Sequence, residues 1–433
     1  MSGVFGRGTH LPIVKSAKGA WIEDGDGRRY LDAGGSAAVS SLGHGESSIV
    51  DAITHQAVKA EFVHATQFTS EELEAYAVEL AEVVPVDDPW VFPVSGGAEA
   101  IETAFKLARA YHLARGEDRH VIVARKGDYH GNTLGALDAS GRAPLRRPYE
   151  PWLGRTRFVP AVYEYRCPAP SHPEACGVWH AAELETAIQE IGPGNVAAFV
   201  AEPICGATLG AAVPPEDYWS AIAEVCSRHR VLLVVDEVMT GFGRTGSWFA
   251  VDHWGIRPDI LVAAKGASGG YWPLGLCVAS GSVHEAVAEA GFVHGFTFSH
   301  HPVGAAVGRA VLNRIKELHL IEAARQRGRQ LLEGLRQALG SHPVVGDVRG
   351  RGLLVGIELV ADRETRRPFP RSDRLTERLR RKAMDLGLLL YGSTGCVDGT
   401  EGDLLLIAPP LTILPSEIDL AVELTAKAIA ETA

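Results

Sequence analysis

Two polar residues that follow apolar runs could carry out chemistry together. Lys265 comes directly after residues 260–264, and Asp236 comes directly after residues 231–235. A lysine amine among small residues loses solvation, which lowers its pKa and suits it to imine chemistry. A carboxylate at the end of a buried strand is stable only where it meets a cation or hydrogen-bond donors. Each residue alone is equally compatible with a structural ion pair, for example one between Asp236 and Lys265.

Two further segments favour a phosphate and a flat ring as ligands. The Ser-Gly-Gly-Ala segment at 95–98 precedes a helical pattern, so free N–H groups and the helix dipole would favour an anion there. By itself this segment is also compatible with a glycine-rich turn capped by Ser95. Tyr129 follows the apolar run at 121–124 and could stack on a flat ligand or pack at a domain boundary.

Pyridoxal 5'-phosphate has the group that each of these segments would bind. It carries a phosphate, a flat ring, a basic ring nitrogen and an aldehyde that reacts with an amine. A carboxylate such as Asp236 would keep the ring nitrogen protonated, so that the ring accepts the electrons of a carbanion. The four segments together therefore predict a binding site for this cofactor.

The apolar runs also predict the elements that position these residues. They alternate with helical patterns at 100–115 and 218–228, which favours a largely parallel sheet covered on both faces. The runs lie at 121–124, 196–201, 231–235 and 260–264. Ligands of such sheets bind outside the carboxyl ends of the strands.

The two ends of the chain follow a different pattern. Residues 20–33 place an Asp-Gly turn between two short strands, which predicts a hairpin. Residues 349–360 predict a strand, and residues 373–386 predict a helix. We therefore expect a large α/β domain and a smaller α+β part assembled from both termini.

Composition and charge exclude several classes of protein. The 433 residues include 42 basic and 53 acidic side chains, and the resulting net charge of −11 disfavours binding to nucleic acid or to anionic membranes. No apolar stretch approaches the roughly 18 residues of a membrane span, and the N-terminus lacks a signal-like segment. Six scattered cysteines without a CxxC pair suit reduced thiols, so we expect a cytoplasmic protein.

Two pattern matches are not favoured. Residues 241–246 fit GxGxxG, but neither a convincing helix nor the required acidic residue about 20 positions on follows them. Cys167, His172, Cys176 and His180 offer four potential metal ligands, yet their spacings match no known zinc pattern and the segment holds three prolines. An irregular insertion is the favoured interpretation, and we predict no metal.

The chain resembles the class III aminotransferases, the group that includes ω-amino acid, amine, ornithine and 4-aminobutyrate transaminases. The resemblance depends on short blocks that occur in the family's order and cover most of the chain. They are Ser95-Gly-Gly-Ala-Glu-Ala, Tyr129-His-Gly-Asn-Thr-Leu-Gly-Ala, Ala201-Glu-Pro-Ile, Asp236-Glu-Val-Met-Thr-Gly-Phe-Gly-Arg-Thr-Gly, Trp254-Gly-Ile-Arg-Pro-Asp, Lys265-Gly, Gly295-Phe-Thr-Phe-Ser and Ala408-Pro-Pro-Leu.

The resemblance implies a fold-type I architecture and a homodimer, or a tetramer, with active sites at the subunit interface. The large domain would contain a mostly parallel seven-stranded sheet, and a small α+β domain would be built from both termini. The expected bounds are 1–60 for the N-terminal part of the small domain, 61–325 for the large cofactor-binding domain and 326–433 for the C-terminal part. The expected ligands are an amino donor and an oxo-acid acceptor, with no nucleic acid or membrane.

The resemblance also implies a role for individual residues. Lys265 would form the internal aldimine and then move a proton between the substrate and the cofactor in a ping-pong reaction. Asp236 would pair with the ring nitrogen. Around the ring, the expected contacts are Tyr129 above it, Val238 beneath it and Glu202 near its O3′ side. Gly97 and Ala98 would bind the phosphate, together with the flanking Ser95, Gly96, His130 and Gly131. Thr297 would reach the phosphate of the neighbouring subunit.

Two departures from the family pattern bear on the substrate. Ala98 replaces a hydroxyl residue of the phosphate loop, so one side-chain contact is lost. Leu406 stands where many members have the arginine that binds a distal carboxylate, and no arginine occurs between Cys396 and Leu414. We therefore expect pyruvate or a similar small oxo acid as acceptor, with a less polar amine or ω-amino acid as donor. Arginines of an unmatched loop, Arg142, Arg146 or Arg147, are alternative sources of the missing clamp.

Two other functions remain open at this stage. A racemase, epimerase or aminomutase on the same scaffold would begin at the same lysine and differ only in where the proton returns. A catalytically idle relative would serve as a binding subunit, although the simultaneous presence of Asp236 and Lys265 argues against it.

Overall fold

The computed structural model describes residues 11–169, 171–172 and 175–432. The strands in this part of the chain are β1 (Val14–Lys18), β2 (Trp21–Asp24), β3 (Arg29–Asp32), β4 (Trp90–Val94), β5 (Val121–Arg125), β6 (Thr156–Val159), β7 (Val196–Ala201), β8 (Leu232–Asp236), β9 (Ile260–Ala263), β10 (Gly275–Ala279), β11 (Val345–Arg351), β12 (Leu354–Leu359), β13 (Leu388–Leu389), β14 (Tyr391–Thr394) and β15 (Asp403–Ile407).

The α-helices of the same residues cover both faces of the sheets. They are α1 (Gly35–Ala38), α2 (Ser47–Ala60), α3 (Glu71–Ala81), α4 (Gly97–Ala114), α5 (Leu134–Ala139), α6 (Ala143–Arg146), α7 (Cys176–Ile191), α8 (Tyr218–His229), α9 (Gly281–Ala290), α10 (Pro302–Glu317), α11 (Leu320–Leu339), α12 (Leu375–Asp385) and α13 (Pro415–Ala430). Among the described residues, no helix is long and apolar enough to cross a membrane.

A seven-stranded sheet forms the centre of the molecule, in the order β4-β10-β9-β8-β7-β5-β6. Its strands pair in parallel from β6 through β9, and only β10 runs antiparallel to its two neighbours. All residues of β7, β8, β9 and β10 are buried, because helices cover both faces of the sheet. The mostly parallel sheet predicted from the apolar runs is therefore confirmed.

Small side chains let helix α4 lie close to this sheet. Its buried face consists mainly of alanines, including Ala100, Ala104 and Ala108, together with Ile101 and Leu107. Alanine adds little bulk and favours the helical conformation, so the helix axis can approach the strands closely. This packing fixes the first turn of α4, which begins at the carboxyl end of β4.

Two smaller sheets combine the two ends of the chain. Strands β2 and β3 form the predicted hairpin, and β13 extends it by pairing in parallel with β3, so that Leu388 lies opposite Leu31. The second sheet has the order β11-β12-β15-β14. The α+β part built from both termini is confirmed, and the strand expected within residues 349–360 is β12, while residues 349–351 belong to β11. Gly352, with φ of +57°, turns the chain so that β11 and β12 pair as a second hairpin.

Candidate active site

One cavity of about 500 Å³ lies at the carboxyl ends of the central strands. Each of the four segments singled out in the sequence contributes to its wall, because parallel strands end at the same edge of the sheet. The lining residues are Val39, Ser95, Gly96, Gly97, Ala98, Glu99, Tyr129, His130, Gly131, Asn132, Glu202, Ala207, Asp236, Val238, Met239, Ala264, Lys265, Ser268, Gly270, Trp272, Pro273 and Leu274.

Backbone N–H groups form the end of the cavity next to α4. The helix begins at Gly97, so the N–H groups of Gly97 and Ala98 belong to its first turn, where no earlier helical carbonyl can accept them. Gly96, and not Ser95, occupies the N-cap position, and no side chain caps the helix. The alternative of a turn capped by Ser95 is therefore wrong, and these N–H groups remain available to an anion.

Two glycines allow the loops around this end to pack closely. A Cβ atom on Gly97 would lie 3.0 Å from Cγ2 of Val238, and one on Gly131 would lie 2.6 Å from the Cβ of Ala98. Gly131 also has φ of +139°, which strains residues with a side chain. The segment after β5 therefore lies directly against the start of α4.

Asp236, the last residue of β8, forms an ion pair with His130. Nδ1 of His130 lies 2.7 Å from Oδ2 of Asp236, and the backbone N–H of Val238 donates to Oδ1 at 3.0 Å. Burial lowers the pKa of His130, but the hydrogen bond and charge of Asp236 and the charges of Asp128 and Glu202 raise it more. The pKa of His130 therefore lies above its usual value, which favours the protonated ring beside the carboxylate. An Asp236–Lys265 ion pair, the structural alternative, does not occur among the described residues.

Glu202 lies at the end of β7 in a rigid polar network. Its Oε1 accepts a hydrogen bond from the N–H of Tyr129 at 2.9 Å, and its Oε2 accepts one from the N–H of Gly206 at 3.0 Å. Burial, together with the charges of Asp128 and Asp236, raises the pKa of Glu202 to about 7. This carboxyl can therefore both accept and donate a proton near neutral pH.

Lys265 begins a single 3₁₀ turn after β9, in the left-handed region with φ of +41°. Burial lowers the pKa of its amine, while the charges of Glu202 and Asp236 oppose part of that effect. A buried amine with a lowered pKa is more often neutral and therefore more nucleophilic. Residues other than glycine are uncommon in the left-handed region, and such backbone strain is concentrated at functional sites.

The remaining residues named in the sequence analysis lie outside the wall of this cavity. Thr297 is exposed and does not line this cavity of its own chain. Leu406 is buried in an apolar cluster with Met239. Arg142 and Arg146 line a second cavity of about 600 Å³, where Arg142 donates to Ser393 and Arg146 donates to carbonyl oxygens at the end of α5. Arg147 is exposed and, like these two, is not part of the first cavity's wall.

Sequence reasoning missed several wall residues, of which Val39 is the clearest example. It follows α1, where Ser36 and Ala37 have φ of +50° and +66°. The N–H and hydroxyl of Ser36 donate to the carboxylate of Asp32, which stabilises this unusual turn. The Gly34-Gly35 pair was the available signal, since a Cβ atom on Gly35 would lie 2.1 Å from the carbonyl oxygen of Ala408.

Comparison with known proteins decides the family. Residues 5–429 match the family model described as Aminotransferase class-III. The chain belongs to the class III aminotransferases. It is 34% identical to the putrescine–pyruvate aminotransferase of Pseudomonas aeruginosa over 427 residues, 97% of this chain and 91% of that protein. It is also 34% identical to the leucine/methionine racemase of Thermococcus litoralis over 429 residues, 98% of this chain and 92% of that protein.

A solved structure extends the likeness to the fold. The (S)-enantioselective ω-transaminase from Thermomicrobium roseum superimposes with a TM-score of 0.91 at 35% identity, covering 98% of this chain and 93% of that one. The class III aminotransferase described here is thus a fold-type I enzyme that depends on pyridoxal 5'-phosphate.

The cavity of this aminotransferase fits that cofactor. The uncapped first turn of α4 suits the phosphate, the carboxylate of Asp236 suits a protonated ring nitrogen, and the Lys265 amine suits the aldehyde. Tyr129 and Val238 also line this cavity and are therefore available to contact a flat ring.

Proposed function

We propose that this enzyme transfers an amino group from an amine or ω-amino acid to a small 2-oxo acid, with pyruvate favoured, by a ping-pong mechanism. The observation that carries the choice of acceptor is the composition of the cavity wall. Among the described residues of one chain, Lys265 and His130 are its only basic side chains, and no arginine lines it. An acceptor with a second carboxylate has no guanidinium to bind there.

The wall where a substrate would lie is largely apolar. Val39, Ala207, Met239 and Trp272 contribute to it, and Leu406 belongs to the same buried apolar cluster as Met239. Burying a second carboxylate without a cation costs several kcal/mol, whereas the methyl group of pyruvate suits an apolar wall. The 34% identical relative named for putrescine and pyruvate supports the same substrate class.

We assign chemical roles to the residues around the cofactor site. When bound, pyridoxal 5'-phosphate supplies an electron-accepting ring and an aldehyde carbon that carries the amino group between substrates. Lys265 Nζ would take the proton from the substrate carbon and deliver it to the former aldehyde carbon of the cofactor, which is the proton transfer that amino transfer requires. Asp236, supported by His130, keeps the ring nitrogen protonated, and the N–H groups of Gly97 and Ala98 bind the phosphate.

We also propose a homodimer in which Thr297 reaches the phosphate site of the second copy. Thr297 is exposed in its own chain and lies on the segment between α9 and α10. Mixing a Thr297→Ala chain with a Lys265→Ala chain tests this arrangement, because each hybrid has one site with both defects and one site with neither. Hybrids with about half of the wild-type turnover support the proposal, and hybrids with about half of the turnover of the Thr297→Ala homodimer contradict it.

The acceptor proposal is tested with a panel of amino donors against pyruvate, 2-oxoglutarate and glyoxylate. Lys265→Ala protein serves as the blank, since it has the same cavity without the amine. We expect kcat/KM for pyruvate to exceed that for 2-oxoglutarate. A kcat/KM for 2-oxoglutarate far above that for pyruvate would show that a cation outside the described wall binds the second carboxylate.

A racemase is the second candidate function, because a relative named leucine/methionine racemase is as similar as the pyruvate-dependent one. Incubating the enzyme with an amino donor alone separates the two. A transaminase releases about one equivalent of carbonyl product per site and then stops. A racemase releases none and instead scrambles the stereocentre of the donor.

A further inference from the structure

The insertion between β6 and α7 brings three potential metal ligands together. The Sγ atoms of Cys167 and Cys176 and a ring nitrogen of His172 all lie within 4.8 Å of one another. All three residues are half-buried, whereas the other four cysteines of the chain are buried. The described residues of the insertion contribute nothing to the wall of the cofactor cavity.

The chemistry of these donors indicates a particular class of metal ion. Thiolates and imidazoles are the ligands of Zn²⁺, with Zn–S of about 2.3 Å and Zn–N of about 2.0–2.1 Å. Neighbouring ligands of a tetrahedral Zn²⁺ are then about 3.5–3.8 Å apart, by the geometry of those bond lengths. Atoms already within 4.8 Å of one another need to move by only about 1 Å to bind such an ion.

Contacts around the cluster hold two of the ligands in place. Cys176 is the first residue of α7, and the carboxylate of Asp217 accepts a hydrogen bond from the N–H of Val178 at 3.0 Å. A Cβ atom on Gly177 would lie 2.4 Å from the backbone nitrogen of Tyr218, so this helix start is packed tightly. The ring of Trp179 stacks on that of His172 with centroids 5.6 Å apart. These contacts restrict the positions of Cys176 and His172.

His180, the fourth residue noted in the sequence, does not join the group. It lies one helical turn after Cys176, but its ring packs edge-on against Tyr218 and is buried. Among the described residues, only three protein ligands therefore converge. Three protein ligands leave the fourth position of a tetrahedral ion to water.

We propose that Cys167, His172 and Cys176 bind one Zn²⁺ ion, with water as the fourth ligand. The ion ties the insertion to the start of α7. The neighbouring Arg166 and Pro168 line the second cavity, so the ion also fixes one wall of that cavity. The spacing C-x4-H-x3-C is absent from the familiar finger and ribbon patterns, which is why sequence reasoning disfavoured a metal.

Native thiol reactivity tests the proposal, because Cys167 and Cys176 are the cysteines that are not buried. Holoenzyme treated with a chelator should show about two reactive thiols with a chromogenic disulfide reagent. One equivalent of Zn²⁺ should protect both, and competition with a coloured chelator should give a stoichiometry of one. Equal thiol reactivity with and without Zn²⁺ would overturn the proposal, as would thiols that appear only after reduction of a Cys167–Cys176 disulfide.

Two variants locate the ion. Cys176→Ser and His172→Gln should each weaken Zn²⁺ binding by more than the roughly 10- to 100-fold loss that changes to supporting residues cause. His55→Gln is the matched control, since His55 is an exposed histidine on α2. Zn²⁺ affinity that falls equally in His55→Gln, or not at all in the two variants, would contradict the site. Unchanged cofactor absorbance in all three proteins shows that the fold is retained.

Discussion

The ion pair between His130 and Asp236 gives the sharpest prediction about the cofactor site. We consider Asp236→Asn, which keeps the shape of the side chain and removes its charge. The two side chains lie 2.7 Å apart and are 3% exposed or less. A hydrogen bond between charged groups is worth about 1.5–3 kcal/mol, so its loss should shift the protonation equilibrium of His130 by about 10- to 100-fold.

The expected direction follows from the order of the effects on His130. Burial lowers its pKa, and Asp236 provides the largest opposing effect, ahead of Asp128 and Glu202. In Asp236→Asn protein the pKa of His130 should therefore fall, which favours the neutral imidazole. Glu202→Gln is the control with a weaker effect, and it should lower the same pKa by less.

Histidine-selective NMR of the cofactor-free protein measures this equilibrium, with His130→Phe used to assign the signal. A pKa of His130 that stays unchanged or rises in Asp236→Asn would refute the reasoning. The raised pKa of His130 also has a consequence for the stability of the folded protein. Because the folded-state pKa is raised, the stabilisation by this pair is fully present below the unfolded value of about 6.5. It is lost as the pH rises through the folded-state pKa.

The remaining predictions concern single residues. Lys265→Ala should retain the cofactor at the phosphate and ring contacts but show no transamination, measured by cofactor absorbance and product formation. Gly131→Ala should destabilise the protein by about 1–3 kcal/mol, since a Cβ atom would lie 2.6 Å from that of Ala98 in a strained backbone; thermal unfolding measures it. Burial raises the pKa of Glu237 to about 7, so the wild type should lose stability as the pH rises from about 4.3 to 7. Glu237→Gln should therefore raise Tm more at pH 8 than at pH 5, and an equal effect at both pH values would count against it. Leu406→Arg should lower Tm, because a charge enters an apolar cluster, while raising the ratio of kcat/KM for 2-oxoglutarate to that for pyruvate. A ratio that does not change would show that this position does not face the acceptor.

The central sheet and its polar strand ends could be predicted from the sequence because both depend on local patterns. Apolar runs predicted β7 and β9 to within a residue, and a polar residue after each run marked a wall of the cavity. Parallel strands bring such residues together at one edge of the sheet, whatever the conformation of the loops. For that reason Lys265, Asp236 and Tyr129 were found without any knowledge of their contacts.

Features that depend on contacts between distant segments could not be predicted. The pairing of His130 with Asp236 joins two strand ends whose side-chain orientations are not apparent from spacing. The position of Val39 depends on a left-handed turn that packs against Ala408, the residue after β15. The cluster of Cys167, His172 and Cys176 depends on where an irregular insertion meets the start of a helix, and no periodic pattern encodes that meeting.

The joining of the chain ends has a consequence for synthesis. Strand β3 pairs with β13, and the N–H groups of Ala408 and Leu411 donate to the carbonyl oxygens of Ala33 and Ser41. The turn that carries Val39 therefore lacks these partners until the last part of the chain has left the ribosome. A nascent chain can form the strands that hold Asp236 and Lys265 well before then. The substrate side of the cavity is completed last, so a protein truncated after Leu386 should keep the residues that bind the cofactor but lose one wall of the substrate site.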